Sequence, residues 1–225
     1  MLGDRLRWHQ FTLDVRVPSA SAMPSSASGY DIVLSLGSSS SANDPDAQWW
    51  LGPQLDLLRD ADRRGVPILG VCFGAQALAA ALGGEVNRAP HPEVGWYVID
   101  PVDGLDPPEA GLIEPGPWLQ WHVDAVTAPH GATVLATSPV CVQAYVVGPH
   151  LGVQFHPEVT ATEVANWVVG DPGGPPSAGH DGQAIVDRFV LELPAARARA
   201  NRLVDRFLHR NGLYRNGLGR VPMVG

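Results

Sequence analysis

Residues 66–84 read VPILGVCFGAQALAAALGG and predict a strand that turns sharply into a helix. The apolar run 66–71 has the length of a buried strand, whereas residues 75–82 are rich in helix formers and end at a glycine pair. Cys72 lies in the turn and has a glycine two residues away on each side. Small flanking residues allow a strained corner that projects a nucleophilic side chain toward a substrate. The stretch therefore predicts an α/β fold organised around a reactive cysteine.

The position of Cys72 favours a reactive thiol. At a helix N-terminus, unpaired N–H groups and the helix dipole stabilise the thiolate form of cysteine. The backbone N–H of Phe73 would point at an oxyanion formed beside the sulfur. The alternative is that Cys72 is an ordinary buried cysteine, which is the usual role of a free thiol. A histidine elsewhere in the chain that could act as a base beside Cys72 would favour the catalytic interpretation.

The composition indicates a globular chain with an acidic balance. Its 225 residues are 45% hydrophobic and 17% charged, which predicts one substantial α/β domain. The net charge of -8 makes nucleic acid a poor candidate partner. Two cysteines cannot build a disulfide framework, residues 1–10 lack the apolar core of a signal peptide, and no apolar run is long enough to span a membrane. We therefore expect a cytoplasmic protein that does not contact a membrane.

Alternating strand and helix patterns predict a three-layer α/β/α fold, with a mostly parallel central sheet and helices on both faces. We expect a single domain over residues 1–213, in which a Pro/Gly-rich connector at 171–183 leads to a C-terminal helix that Pro194 interrupts. The tail, 214–225, is expected to be loosely held. Short strands and turns are expected between residues 85 and 119.

A second strand end supplies a histidine and a carboxylate. The apolar run 151–155 stops at His156, which is followed by a proline and Glu158. Ligands in such sheets lie at the carboxyl ends of the strands, so His156 and Cys72 are expected at the same edge. Residues two apart in an extended segment point to the same side, which lets Glu158 reach His156 and fix its tautomer. Cys72, His156 and Glu158 thus form a predicted triad of nucleophile, base and orienting carboxylate.

The loop after the apolar strand 31–36 begins with Gly37 and Ser38 and continues as a serine-rich run. One interpretation is a flexible turn. The other is that backbone N–H groups near Gly37 and Ser38 face the cysteine and complete the oxyanion hole to which Phe73 contributes.

The two boxes together resemble those of the class I glutamine amidotransferases. The nucleophile turn of that family is similar to GVCFGAQ at residues 70–76, and its His-Pro-Glu box is similar to QFHPEV at 154–159. The likeness covers residues from about 30 to 169 and includes the segment 122–124. It implies a flavodoxin-like fold, similar to the amidotransferase part of GMP synthase.

The resemblance also implies a mechanism. Cys72 would attack the side-chain amide of glutamine to form a γ-glutamyl thioester, and His156 would protonate the departing ammonia and then activate the water that hydrolyses the thioester. Gln76, Trp121 and His122 match positions that line the glutamine pocket of the family. Family proteins pass the ammonia to a synthase domain or subunit, which implies a partner enzyme.

The sequence departs from the family in two places. The family opens with an apolar strand before its first helix, whereas this sequence starts where that helix should already be under way. We therefore expect either a first strand that is missing or a start site that is placed too late. The oxyanion loop carries serines at 38–40 where the family usually has Gly or Pro beside its glycine.

The remaining cysteine and histidines are interpreted as structural or solvated residues. Cys141 is expected in mid-strand within the core. His122 and Asp124 could form a second acid-base pair, but the wall of the pocket is the preferred interpretation. No pair of histidines has zinc-ligand spacing, so we expect no metal and no cofactor, and these loop histidines are expected to be solvated: His91, His130, His150 and His180.

Three functions are compatible with the sequence. The leading hypothesis is a glutaminase that delivers ammonia from glutamine to an unidentified acceptor enzyme. The second is a stand-alone γ-glutamyl hydrolase that uses the same thioester chemistry on γ-glutamyl amides. The third is a catalytically silent regulatory subunit, which the presence of all three triad residues disfavours.

Overall fold

The computed structural model describes residues 1–18, 20–170, 179–214 and 219–224, so most of the predicted connector lies outside the described residues. The helices are α1 (Leu2–Trp8), α2 (Gln48–Arg64), α3 (Phe73–Ala81), α4 (Ala161–Gly170) and α5 (Gly182–Arg210), and a 3-10 turn (Pro45–Ala47) precedes α2. The strands are β1 (Phe11–Arg16), β2 (Val33–Ser35), β3 (Ile68–Val71), β4 (Glu85–Ile99), β5 (Gly116–Thr127), β6 (Thr133–Thr137), β7 (Val142–Val147), β8 (His150–Val153) and β9 (Gly219–Val224).

The main sheet has the strand order β1-β9-β2-β3-β8-β7-β6. Strands β1, β9, β2, β3 and β8 run parallel, whereas β7 and β6 complete one side as antiparallel strands. The two long strands β4 and β5 form a separate antiparallel ribbon. The prediction of a mostly parallel sheet is confirmed.

Helices cover both faces of the main sheet because successive strand residues point to opposite sides. On β2, Val33 packs in one apolar cluster with helices α2 and α3, and the next residue, Leu34, packs in another cluster with α1 and α5. Ile68 and Leu69 on β3 divide in the same way. Each such fully buried side chain stabilises the fold by about 1.5 to 3 kcal/mol relative to exposure. The three-layer α/β/α prediction is therefore confirmed.

Helix α5 corrects the prediction that Pro194 interrupts the C-terminal helix. The helix continues from Gly182 to Arg210 with Pro194 inside it. A proline in a helix interior costs about 3 kcal/mol. Buried apolar residues on both sides of it offset that cost, because Phe189 packs under the β4–β5 ribbon and Leu203 packs on the main sheet.

Two further expectations are corrected. The tail, expected to be loosely held, contributes β9, which pairs with β1 on one side and β2 on the other. The region expected to form short strands and turns contains the 15-residue strand β4, because a long partner, β5, satisfies its backbone hydrogen bonds. Among the described residues no helix is long and apolar enough to cross a bilayer.

Candidate active site

Three loops of the site follow three neighbouring parallel strands. Gly37 follows β2, Cys72 follows β3 and His156 follows β8, and in the sheet β3 pairs with both β2 and β8. Parallel neighbours bring their carboxyl ends to one edge, so the three loops converge there. The sheet topology therefore places the predicted nucleophile, base and oxyanion loop together.

Cys72 occupies a strained corner between β3 and α3. It has φ 51° and ψ -112°, a conformation that non-glycine residues rarely adopt, and its N–H donates to the carbonyl oxygen of Val153 on β8 at 2.8 Å. Glycines make the corner possible. A Cβ at Gly70 would lie 2.6 Å from the Gly74 carbonyl oxygen, and one at Gly74 would collide with the Ser35 backbone. The elbow predicted from the sequence is present.

His156 is held in place on several sides. Its Nδ1 lies 2.7 Å from Oε1 of Glu158, and its backbone N–H donates to the Leu119 carbonyl oxygen at 2.8 Å. The ring packs edge-on against Trp167 of α4, with 4.9 Å between ring centroids. Because a carboxylate can only accept, Nδ1 carries a proton. The other ring nitrogen, Nε2, is buried and forms no hydrogen bond with any described residue.

The Cys72 sulfur lies close to the His156 ring. A Cβ placed on Gly37 would be 3.2 Å from Cε1 of His156 and 3.9 Å from Cβ of Cys72, so both side chains meet over this glycine. The thiol is buried, Gln154 donates an amide N–H toward Sγ at 3.6 Å, and the Trp121 carbonyl oxygen lies 3.8 Å from Sγ. The predicted triad residues therefore share one site.

The pKa of His156 is shifted by its surroundings. Burial disfavours the charged imidazolium, but the negative charges of Glu158 and of an ionised Cys72 favour it more strongly. The net effect raises the pKa of His156 well above its ordinary value. A raised pKa favours the protonated ring, which can deliver its proton to a leaving group.

The predicted oxyanion donors lie beside the thiol. Phe73 is the first residue of α3, where a helix leaves its N–H groups without intrahelical partners. Gly37 and Ser38 line the same cavity as Cys72. Ser38 also accepts a hydrogen bond through Oγ from the Ser40 N–H at 3.2 Å, which orders the loop in the absence of the family's usual Gly or Pro.

A cavity of about 1020 Å³ opens over the triad. It is lined by all three residues that were expected in the substrate pocket: Gln76, Trp121 and His122. Gln76 is held by the protein itself, since its Nε2 donates to the Asp124 carbonyl oxygen at 3.3 Å and to Oε1 of Gln154 at 3.1 Å. It therefore orders the polar network behind the thiol.

Several residues around the site were missed by the sequence analysis. Gln154 approaches the thiol, and it lies in the His-Pro-Glu box, which was a usable signal. Trp167 comes from α4, and nothing in its local sequence indicates contact with His156. The cavity also contains charges of both signs, contributed by Arg16, Arg88 and Asp124, and Arg88 Nη1 lies 3.6 Å from Oδ1 of Asp124.

Two expectations about other residues are wrong. His150, expected in a solvated loop, is fully buried on β8, where its Nδ1 accepts the Ile68 N–H and its Nε2 lies 3.0 Å from Asp62. Cys141, expected in the core in mid-strand, is half-buried just before β7 and contacts Glu93. Both residues contact partners that are distant in the sequence, which no local pattern indicates.

Known proteins share this sequence pattern. Residues 6–169 match the family model described as glutamine amidotransferase class-I. The chain is 34% identical over 147 residues to the GMP synthase (glutamine-hydrolyzing) of Ralstonia pickettii (strain 12J), a match that covers 59% of this chain and 24% of that protein. It is 35% identical over 141 residues to the GMP synthase (glutamine-hydrolyzing) of Edwardsiella ictaluri (strain 93-146), covering 57% and 23%.

The fold is similar to that of a solved glutamine amidotransferase from Thermotoga maritima, with a TM-score of 0.77 and 22% sequence identity over 89% of this chain and 98% of that chain. The chain spans about a quarter of the length of the curated relatives named above. The family model, in contrast, covers most of the chain and includes both boxes of the site. The chain therefore belongs to the glutamine amidotransferase class-I family.

Proposed function

We propose that this chain hydrolyses the side-chain amide of glutamine and releases ammonia for an acceptor enzyme. The observation that carries the proposal is the arrangement of His156. Its Nδ1 is fixed by Glu158 at 2.7 Å, while Nε2 has no hydrogen bond to a described residue and the ring meets Cys72 over Gly37. A base that is oriented on one side and free on the other suits proton transfer at the sulfur.

The proposed reaction has two stages. The Cys72 thiolate attacks the amide carbon, and the N–H groups of Phe73 and of the loop at Gly37 and Ser38 stabilise the oxyanion. The His156 imidazolium then gives its proton to the amide nitrogen, so ammonia leaves and a thioester remains. His156, now neutral, takes a proton from water while the water oxygen attacks the thioester carbon. The C–S bond then breaks, glutamate leaves, and the Cys72 thiolate and the His156 imidazolium are restored.

The charges of the cavity suit the other end of glutamine. An α-amino acid carries an ammonium and a carboxylate, which need acceptors and donors of opposite charge. Asp124 offers a carboxylate at the cavity wall, and Arg16 and Arg88 offer guanidinium groups. We propose that these residues, together with Gln76, Trp121 and His122, bind the substrate.

We further propose that the ammonia passes to a partner that carries the synthase function. The named relatives are GMP synthases about four times the length of the matched segment, and their names describe glutamine hydrolysis coupled to synthesis. The two free cysteines of this chain, Cys72 and Cys141, fit a reducing compartment, which supports a cytoplasmic location.

One observation favours a second candidate, a γ-glutamyl hydrolase. The cavity of about 1020 Å³ is at the upper end of small-molecule sites, which commonly measure about 300 to 1,000 Å³. Glutamine alone would leave much of it empty. A γ-glutamyl amide with a larger leaving group would use the same thioester chemistry and fill more of the space.

The test compares two substrates and two cysteine variants. Ammonia release from glutamine and amine release from a γ-glutamyl anilide are measured for the wild type, for Cys72→Ala and for Cys141→Ala as the matched control. The proposal expects glutamine hydrolysis in the wild type and in Cys141→Ala, and none in Cys72→Ala. Hydrolysis of the anilide with inert glutamine would support the second candidate instead.

A covalent probe covers the case in which hydrolysis requires the partner. The glutamine analogue 6-diazo-5-oxo-norleucine, whose diazoketone alkylates an activated thiol, should add to Cys72 in the folded protein, as read by peptide mass spectrometry. Addition should be absent from Cys141. A folded protein whose Cys72 remains unmodified would favour the silent regulatory subunit.

A further inference from the structure

A second group of metal-ligating side chains lies outside the triad. Glu93 on β4, His122 on β5 and Cys141 before β7 place one ligand atom each within 4.8 Å of the others. Nε2 of His122 lies 3.1 Å from Oε2 of Glu93, and Sγ of Cys141 lies 3.7 Å from the same oxygen. The Glu93 and His122 side chains are only 2% and 1% exposed. Cys141 is half-buried and gives the group access from the surface.

The protonation of His122 requires a positive group beside Nε2. Its Nδ1 lies 2.9 Å from the carbonyl oxygen of Asp124, and a carbonyl oxygen only accepts, so Nδ1 carries a proton. In the neutral ring Nε2 then carries a lone pair, and this nitrogen lies 3.1 Å from a carboxylate oxygen of Glu93. Two acceptors repel at this distance. A proton or a metal cation therefore has to lie between them.

The distances fit a metal cation held between the three ligand atoms. Nε2 of His122 is buried and forms no hydrogen bond with any described residue, although the Glu93 oxygen is close. Two ligands of a tetrahedral ion point at the ion and not at each other. Zinc bond lengths predict edges of about 3.4 Å between N and O and about 3.6 Å between S and O. The observed distances from the Glu93 oxygen are 3.1 Å to His122 and 3.7 Å to Cys141.

The surroundings hold the ligands as the outer partners of metal sites do. The Asp124 carbonyl oxygen fixes the His122 tautomer, which is the usual arrangement for a metal-binding histidine. Oε2 of Glu93 also accepts from Gln143 Nε2 at 2.8 Å and from Ser138 Oγ at 3.1 Å. Burial alone would raise the pKa of Glu93, but the charge of His122 and the hydrogen bonds from His122, Ser138 and Cys141 outweigh it, and the net effect lowers this pKa.

We propose that Glu93, His122 and Cys141 bind one Zn²⁺ ion. A thiolate, an imidazole and a carboxylate together form a donor set that zinc prefers. The ion would join the β4–β5 ribbon to the main sheet beside the pocket that His122 also lines. The group shares His122 with the wall of the proposed substrate pocket, whereas the cysteine and the glutamate belong only to this group.

Binding has a proton cost at Cys141. Without a metal, burial and the neighbouring Glu93 charge raise the pKa of Cys141 to about 12, so the thiol is protonated at neutral pH. Coordination replaces that proton by the ion, and zinc affinity should therefore fall as the pH falls.

The test measures zinc in the intact chain and its cysteine variants. Protein is stripped with a chelator, incubated with ZnCl₂, separated from free metal and analysed for zinc by mass spectrometry. The wild type and Cys72→Ala should each retain one equivalent, whereas Cys141→Ala should retain none. Zinc should also raise the melting temperature of the first two proteins only. Ser138→Ala, which removes one donor to Glu93, should weaken binding about 10- to 100-fold.

X-ray absorption of zinc-loaded Cys72→Ala protein keeps the proposal testable if Cys141→Ala does not fold. In that variant Cys141 is the remaining cysteine, so a sulfur neighbour at about 2.3 Å assigns the site. Zinc that is lost from Cys72→Ala and retained by Cys141→Ala would place the metal at the triad and overturn the proposal. A wild type that retains no zinc would overturn it as well.

Discussion

The triad and a second set, which consists of Glu93, His122 and Cys141, each contain a cysteine, a histidine and a glutamate. The two sets differ in the group that each imidazole nitrogen contacts. In the triad, Glu158 contacts Nδ1 of His156 and leaves Nε2 directed into a site with a strained cysteine. In the second set, Nδ1 of His122 contacts a backbone carbonyl oxygen. The carboxylate of Glu93 lies near Nε2 of this ring and near the thiol of Cys141.

This difference changes the chemistry of each set. The triad raises the pKa of His156 and keeps a mobile proton beside a cavity. The second set raises the pKa of its thiol to about 12 and surrounds its carboxylate with donors. The first arrangement favours proton transfer at a nucleophile, and the second favours fixed binding. Residue types alone do not distinguish catalysis from structure, but the partner of each imidazole nitrogen does.

The exchange of cysteine for alanine gives the largest contrast between the sets. Cys72→Ala removes the attacking atom, and we expect activity to fall to background, about 10⁶-fold as for a lost nucleophile in a comparable triad. Cys141→Ala should retain most of the activity. Steady-state ammonia release checks both variants. Comparable losses in the two would contradict the separation of the sets.

Glu158→Gln should have the next largest effect. The amide keeps a contact with His156 but loses the charge that stabilises the imidazolium, so we expect a loss about two orders of magnitude smaller than that of Cys72→Ala. The measurement is kcat/KM for glutamine in the two variants. If Glu158→Gln were as inactive as Cys72→Ala, Glu158 would be as essential to the reaction as the nucleophile, which contradicts a role limited to orienting and stabilising His156.

The pH profile of Glu158→Gln tests whether the Glu158 charge raises the pKa of His156. Glu158 contributes to raising the pKa of His156, so the wild type should lose its essential imidazolium only at alkaline pH. Without the carboxylate charge this pKa falls, and the alkaline limb of kcat/KM should move to lower pH. An alkaline limb at the same pH in both proteins would show that another group controls it.

Replacement of the glutamate by leucine should lower the stability of the protein more in the second set than in the triad. Glu93→Leu leaves the buried amide of Gln143 and the hydroxyl of Ser138 without the carboxylate that accepts from both, and we expect a loss of about 2 to 5 kcal/mol in the free energy of unfolding. The matched change, Glu158→Leu, affects a side chain that is 15% exposed and should cost clearly less. Urea unfolding of metal-free protein measures both. Equal losses would contradict the assignment.

The smallest effects are expected for two serine-to-alanine variants, of which Ser138→Ala should have the larger effect. Its hydroxyl donates to Glu93 and accepts from the N–H groups of Val140 and Cys141, so its removal should cost about 1 to 3 kcal/mol of unfolding free energy. Ser38→Ala, in the exposed loop at the other set, should change stability by about 0.5 kcal/mol or less and keep its backbone N–H for the oxyanion. A larger loss at Ser38 than at Ser138 would reverse the comparison.

The two sets also differ in how far the sequence revealed them. Cys72 was predictable because its strand, turn and helix are continuous in the chain, and Glu158 because it lies two residues from His156 in an extended segment. Glu93, His122 and Cys141 come from three separate elements, so no local pattern pairs them. Cys141 was therefore assigned to the core, although it lies in a polar, half-buried cluster.

The same limit applies to the elements of the fold. The parallel strands and their helices were predicted from hydrophobic patterns, which are local. Pro194 suggested a break because the sequence does not show the two cores that hold α5 together. Strand β9 was missed because pairing on both sides, and not the six residues themselves, gives it its structure.

Local sequence patterns are sufficient to predict the α/β architecture, the elbow at Cys72 and the pair of His156 and Glu158, because each of these features depends on neighbours within a few residues. The imidazole nitrogen that each glutamate contacts, and the positions of Gln154 and Trp167 beside the triad, follow only from the tertiary packing. These features depend on the register between strands that are distant in sequence, and the free energy of that packing is spread over the whole sheet.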